Sequence, residues 1–109
     1  MEVNIEFSIN QLTNYQVLGF SLPGNGIIAP EMLKEISIPA GIDYKKGVII
    51  SGKGPVWLYA HLVHLLHISA WVAVYDPRIG AVVVQSHSKN TYSAGDVLTA
   101  EEFISFIKH

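Results

Sequence analysis

The sequence predicts an α/β protein: a single small domain whose mixed sheet is built around a central βαβ unit. Three observations predict it. Val48-Ile49-Ile50 is a short, wholly apolar run closed by Gly52-Lys53-Gly54-Pro55, Val56 to His67 carries a helical period, and Trp71 to Tyr75 is a second apolar run rich in β-branched and aromatic residues. Strand, helix and strand in that order require parallel strands joined by a right-handed crossover. Ala81 to Val84 then returns antiparallel to Trp71 to Tyr75, which makes the sheet mixed, and runs with no polar face need cover on both sides. A chain of 109 residues, 50% of them hydrophobic, supplies one sizeable core and not two, so residues 1–109 are read as one domain.

The elements follow in order. Val3 to Ile9 alternates apolar and polar side chains, the period of a strand with one solvated face, and Tyr15 to Leu22 reads as its hairpin partner. Leu22-Pro23-Gly24-Asn25-Gly26 is a loop, and Pro30 suits the first turn of a short helix through Glu35. An irregular connection from Pro39 to Lys46 leads to the strand of Gly47 to Ser51. In the helix of Val56 to His67, Leu58, Tyr59, Leu62, Val63, Leu65 and Leu66 cover more than half the circumference. His61, His64 and His67, with Trp57 and Ala60, form the remaining stripe. After the second strand pair, residues 85–96 turn polar. Thr99 followed by Glu101 and Glu102 reads as the N-capped start of a final helix through Phe103, Phe106 and Ile107.

Composition excludes several classes of partner. Seven Lys and Arg against nine Asp and Glu give a net charge of −2, so neither DNA nor an anionic membrane is an expected partner, and any anion must be met by a local site. Residues 54–75 carry no formal charge and imitate a membrane span in length, but Gly54-Pro55 opens the window, three histidines interrupt it, and its period changes at Ser69-Ala70. A buried helix followed by a buried strand explains it. No cysteine is present and the first nine residues lack a basic and apolar leader pattern, which together fit a cytoplasmic protein.

Chemistry is expected at the carboxyl ends of the parallel strands, where open α/β sheets hold their ligands. Gly52-Lys53-Gly54 and Asp76-Pro77-Arg78 both fall there. Glycine admits close backbone approach, and Lys53 with Arg78, the only arginine in the chain, supplies positive charge for a phosphate. Lys53, Gly54 and Arg78 are therefore candidate ligand-binding residues. Gly-Lys-Gly-Pro lacks the spacing of a Walker loop, and Asp-Pro also opens ordinary type I turns, so neither motif requires a function by itself. His87 closes an apolar strand between the hydroxyls of Ser86 and Ser88, further candidates for ligand contact, while His64 and His67 lie close enough on one helix face to share a ligand.

Strand direction separates these groups. The strand from Trp71 runs toward Asp76, and its partner runs back to His87, beside His67. Five strand residues at about 3.3 Å each place Asp76 and Arg78 roughly 15–20 Å from His67 and His87. If all four act on one phosphate, the site is shared by two molecules meeting head to tail.

The stretches SGKGPVWLYAHLVHLLH (51–67) and VAVYDPRIGAVVVQSHS (72–88), with Gly95-Asp96-Val97 and the weaker EMLKEISIP (31–39), resemble the small single-domain CRISPR-associated ring nucleases of type III systems, first described as manganese-dependent RNA deadenylases. The resemblance implies a minimal Rossmann-like, CARF-like nucleotide-sensing domain, a homodimer whose dimers stack head to tail around cyclic tetra-adenylate. It implies a manganese-assisted phosphodiesterase that cuts the ring to short linear oligoadenylates and ends the antiviral signal. His67, Asp76, Arg78 and His87 match the family's catalytic positions, with His67, Asp76 and His87 the implied ligands of manganese or another divalent metal. Lys53 stands where a relative carries arginine, which keeps the charge but not the two-pronged phosphate contact. A sensor or sink that binds the ring without cutting it, and an exonuclease acting on linear RNA, are the alternatives.

Overall fold

The computed structural model describes residues 5–24, 26–88, 90–99, 101 and 103–107. Six strands form one sheet in chain order: β1 (Glu6–Gln11), β2 (Tyr15–Ser21), β3 (Gly47–Gly52), β4 (Trp71–Asp76), β5 (Gly80–Ser86) and β6 (Val97–Leu98). The β2–β3 and β3–β4 pairs are parallel, and the other three are antiparallel. The expected βαβ unit is β3, α1 (Val56–Leu65) and β4. The expected strand of Val3 to Ile9 begins at Glu6 among the described residues, and Val3 and Asn4 lie outside them.

The central strands are buried on both faces because their sequences leave no polar side: Val48, Ile49 and Ile50 have no solvent exposure. On one face Val48, Ile50 and Val72 pack under Leu58, Leu62 and Leu66 of α1 and under Ile28 and Ile36 beside the short 3-10 helix Pro30–Glu35. On the other, Val17, Ile49 and Ala73 are covered by Leu98, Phe103 and Ile107 from the C-terminal segment. Both crossovers thus lie on one side of the sheet, and the chain end closes the other. No helix among the described residues is long and apolar enough to cross a membrane.

Two expectations change. The helix anticipated from Thr99 onward is only a 3-10 turn, Ile104–Phe106, with residues 100 and 102 outside the described set. Phe103 and Ile107 are instead drawn into the core as separate plugs, a packing that outweighs the helical spacing of their segment. The main helix ends at Leu65 rather than His67, because Leu66 leaves helical geometry (ψ 9°) and the chain turns through Ser69, whose N–H donates to the Leu66 carbonyl at 2.9 Å.

Candidate active site

At the carboxyl end of β4 the turn is built by Asp76. Its backbone carbonyl accepts from the N–H of Ile79 (3.1 Å), and its Oδ1 accepts from the N–H of Arg78 (2.9 Å). Gly80 completes the reversal at φ 123°, and a Cβ there would lie 2.6 Å from the Leu98 carbonyl oxygen of β6. Arg78 folds back on the same carboxylate, with Nε on Oδ1 (3.2 Å) and Nη2 on Oδ2 (3.0 Å). The side-chain hydrogen bonds from Arg78, then its backbone N–H, hold the Asp76 carboxyl below its ordinary value and raise the guanidinium in turn. Two of the five guanidinium N–H groups are used, and the remaining three sit on a side chain that is 86% exposed.

Gly52 ends the neighbouring parallel strand, so Lys53 and Gly54 occupy the same sheet edge as Asp76. This loop is held by Tyr59 of α1: the Gly52 N–H donates to Tyr59 Oη at 2.9 Å, and that hydroxyl donates to the Gly52 carbonyl. Burial pushes the Tyr59 phenol above its ordinary value, against the opposing pull of the Gly52 backbone. A Cβ on Gly52 would meet the Phe20 carbonyl oxygen at 2.5 Å, so only glycine fits beside β2.

The histidines gather at the opposite end. His67 Nδ1 lies 2.9 Å from the His64 carbonyl, and His87 Nε2 lies 2.7 Å from the His67 carbonyl. A carbonyl oxygen only accepts, so each of these ring nitrogens is the donor. When the rings are neutral, Nε2 of His67 and Nδ1 of His87 keep free lone pairs. The rings of His64 and His67 stack at 5.9 Å. The Ser86 hydroxyl is engaged within its own turn, accepting from the Ser88 N–H (3.1 Å) and facing the Ser88 carbonyl (3.2 Å), and Ser88 Oγ pairs with Thr91 Oγ1 at 2.7 Å.

One chain therefore carries two separate groups of candidate residues. Asp76 pairs with Gly80 at one end of the β4–β5 hairpin and Trp71 with Ser86 at the other, and five residue steps separate these ends by about 16 Å. Asp76, Arg78, Lys53 and Gly54 share one end, and His67, His87, Ser86 and Ser88 share the other. Among the described residues no three His, Asp or Glu side chains of one chain come together to hold a metal. His67 and His87 nevertheless suit a metal individually, since each donates one ring N–H to a carbonyl and leaves the other nitrogen free, the usual arrangement of a ligating imidazole.

Comparison with known families decides the wider context: the family model described as "CRISPR-associated protein (Cas_csx3)" matches residues 22–99. The chain belongs to the Cas_csx3 family of CRISPR-associated proteins. An uncharacterized protein of Aquifex aeolicus (strain VF5) is 44% identical over 78 residues, which cover 68% of this chain and 69% of the relative. The Cas_csx3 match spans both groups of candidate residues, Lys53, Asp76 and Arg78 as well as His67 and His87.

Two contacts in this Cas_csx3 chain escape a reading of the sequence. Tyr59 looks like one more apolar residue of the helix, although a partly buried phenol seeks a partner for its hydroxyl. Gln85 donates through Nε2 to the His67 carbonyl at 2.8 Å, and nothing marks it beyond being the first polar residue after the apolar run of Ala81 to Val84.

Proposed function

We propose that this protein is a ring nuclease, a phosphodiesterase that binds cyclic tetra-adenylate and cuts it to short linear oligoadenylates, ending a CRISPR-linked signal. The observation that carries the reading is the division of the phosphate-binding and imidazole groups between opposite ends of one hairpin. A ligand with several phosphates, gripped between stacked copies of the chain, brings the two halves together, and the Cas_csx3 membership supplies the setting.

Arg78 presents its three unused N–H groups to phosphate oxygens, and the Asp76 fork keeps the guanidinium from swinging away. Lys53 adds charge from the adjacent loop. With its carboxyl lowered by Arg78, Asp76 is poorly suited to donate a proton near neutral pH, so acid and base roles fall to the imidazoles. In the ribose route, His67 Nε2 takes the proton of a 2′-hydroxyl as that oxygen attacks phosphorus. The P–O5′ bond breaks, protonated His87 supplies the proton to the leaving 5′-oxygen, and a 2′,3′-cyclic phosphate remains. In the water route the nucleophile is a water molecule, and manganese held by His67 and His87 of one copy and Asp76 of another would supply Lewis-acid stabilisation of the phosphoryl oxygens.

Capture without cleavage is the second reading. It is favoured by the same separation, because one copy offers phosphate contacts with no imidazole beside them. The test is incubation with cyclic tetra-adenylate, with manganese or with chelator, alongside a linear adenylate RNA. Linear products from the ring are expected. An intact ring after long incubation with stoichiometric protein would leave the capture reading, and faster loss of the linear RNA would indicate an exonuclease.

A further inference from the structure

We infer that Gln85 is a positioning residue of the histidine half-site, an inference that rests on the ring-nuclease reading for its kinetic consequence. The carbonyl of His67 lies just past the end of α1, where helix geometry leaves carbonyls without partners. Two donors converge on it from the end of β5 and the residue just past it: the Gln85 amide at 2.8 Å and the His87 imidazole at 2.7 Å. Together they fill both lone pairs of one oxygen. Gln85 thereby fixes the direction of the His67 peptide, and the His87 ring docks Nε2-first on the site that remains, with Nδ1 free.

A β-bulge makes this possible. Ala73 pairs with Val83 but Val72 pairs with Gln85, so Val84 is an extra residue in β5. Ala81 and Val83 face the core under the C-terminal segment. Unbroken alternation would send Gln85 and His87 to that same side. The bulge reverses the parity: Gln85 shares the face of Val72, which packs with α1, and His87 two residues on follows it to His67. Gln85 lies in β5, His87 follows directly after it, and their shared acceptor follows α1, so the contact also ties the end of the helix to the sheet at the point where the imidazoles are presented.

The test compares wild type with Gln85→Met, which keeps the length without a donor, and Gln85→Lys, which restores one. Long-range proton–nitrogen NMR of the imidazoles, well above the ordinary histidine pKa of about 6.5, reads which nitrogen carries the proton. Wild type is expected to show His87 protonated on Nε2 and His67 on Nδ1. In Gln85→Met the His87 signal should move toward the mixed population of a free imidazole, with ring affinity near wild type and a small loss of thermal stability from the one hydrogen bond removed. Its kcat should fall about two- to tenfold, the effect of one ordinary hydrogen bond, and Gln85→Lys should recover both signals. Wild-type tautomers in Gln85→Met would overturn the inference, and so would shifted tautomers with unchanged kcat. If wild type itself leaves the ring intact, the ring-nuclease reading fails, while the tautomer comparison still decides whether Gln85 positions His87.

Discussion

Replacing Tyr59 by phenylalanine removes one oxygen atom and two hydrogen bonds to a single residue, Gly52. The ring keeps its edge contact with Phe20, whose centroid is 5.2 Å away, so the change isolates the hydroxyl. Two hydrogen bonds at about 0.5–1.5 kcal/mol net each give a loss of about 1–3 kcal/mol. For a small domain, where each kcal/mol is worth about 4–8 °C, the unfolding midpoint should fall by at least about 4 °C. The same hydroxyl tethers the Lys53 loop to α1, so affinity for cyclic tetra-adenylate should fall as well. Alkaline titration sharpens the test. Burial raises the folded phenol above its ordinary value of 10.0, so its contribution is fully present below the unfolded pKa and is lost as pH rises through the folded one. Thermal and urea unfolding of wild type and Tyr59→Phe, at neutral and alkaline pH, measure both effects. Equal midpoints for the two proteins at neutral pH would refute the assignment of Tyr59 as the anchor of this loop.

Other predictions concern the Asp76–Arg78 fork. Arg78→Lys keeps the charge and loses the planar fork, so ring affinity measured by equilibrium binding should drop about tenfold or more, with the unfolding midpoint unchanged because the side chain is exposed. The Asp76 carboxyl, followed by carbon NMR, should titrate below its ordinary value of 3.8, and Arg78→Ala should return it toward that value. Because the folded pKa is the lower one, the pair's contribution to stability is present above the unfolded pKa and disappears as pH falls through the folded pKa.

The backbone of the fold was legible wherever apolar runs were long. Val48-Ile49-Ile50, the leucines of α1 and Trp71 to Tyr75 announce the βαβ unit, and the Asp76-Pro77-Arg78 turn announces the hairpin that splits the candidate site. What stayed hidden depends on tertiary partners. β6 is only Val97–Leu98, held beside β5 as Val83 donates to the Asp96 carbonyl and accepts from the Gly95 N–H. The C-terminal segment has helical spacing, yet the exposed sheet face claims Phe103 and Ile107 first. The bulge at Val84 leaves no local signature in a row of valines, and with it the link from Gln85 and His87 to His67 is invisible. The roles of Tyr59 and Gln85 are likewise long-range, fixed by which backbone groups the fold leaves in need of a partner.

The central claim is that a working site takes its imidazoles from one copy and its Asp76–Arg78 fork from another. Mixing Asp76→Ala with His67→Ala, each inactive alone, tests it most directly. In an equal mixture at ligand-saturating concentration, half of the histidine ends and half of the aspartate ends are intact, so random assembly restores about a quarter of the sites. Recovery of ring cleavage to about a quarter of the wild-type rate is the expected result, and a mixture as inactive as its components, beside an active wild type, would contradict the shared site.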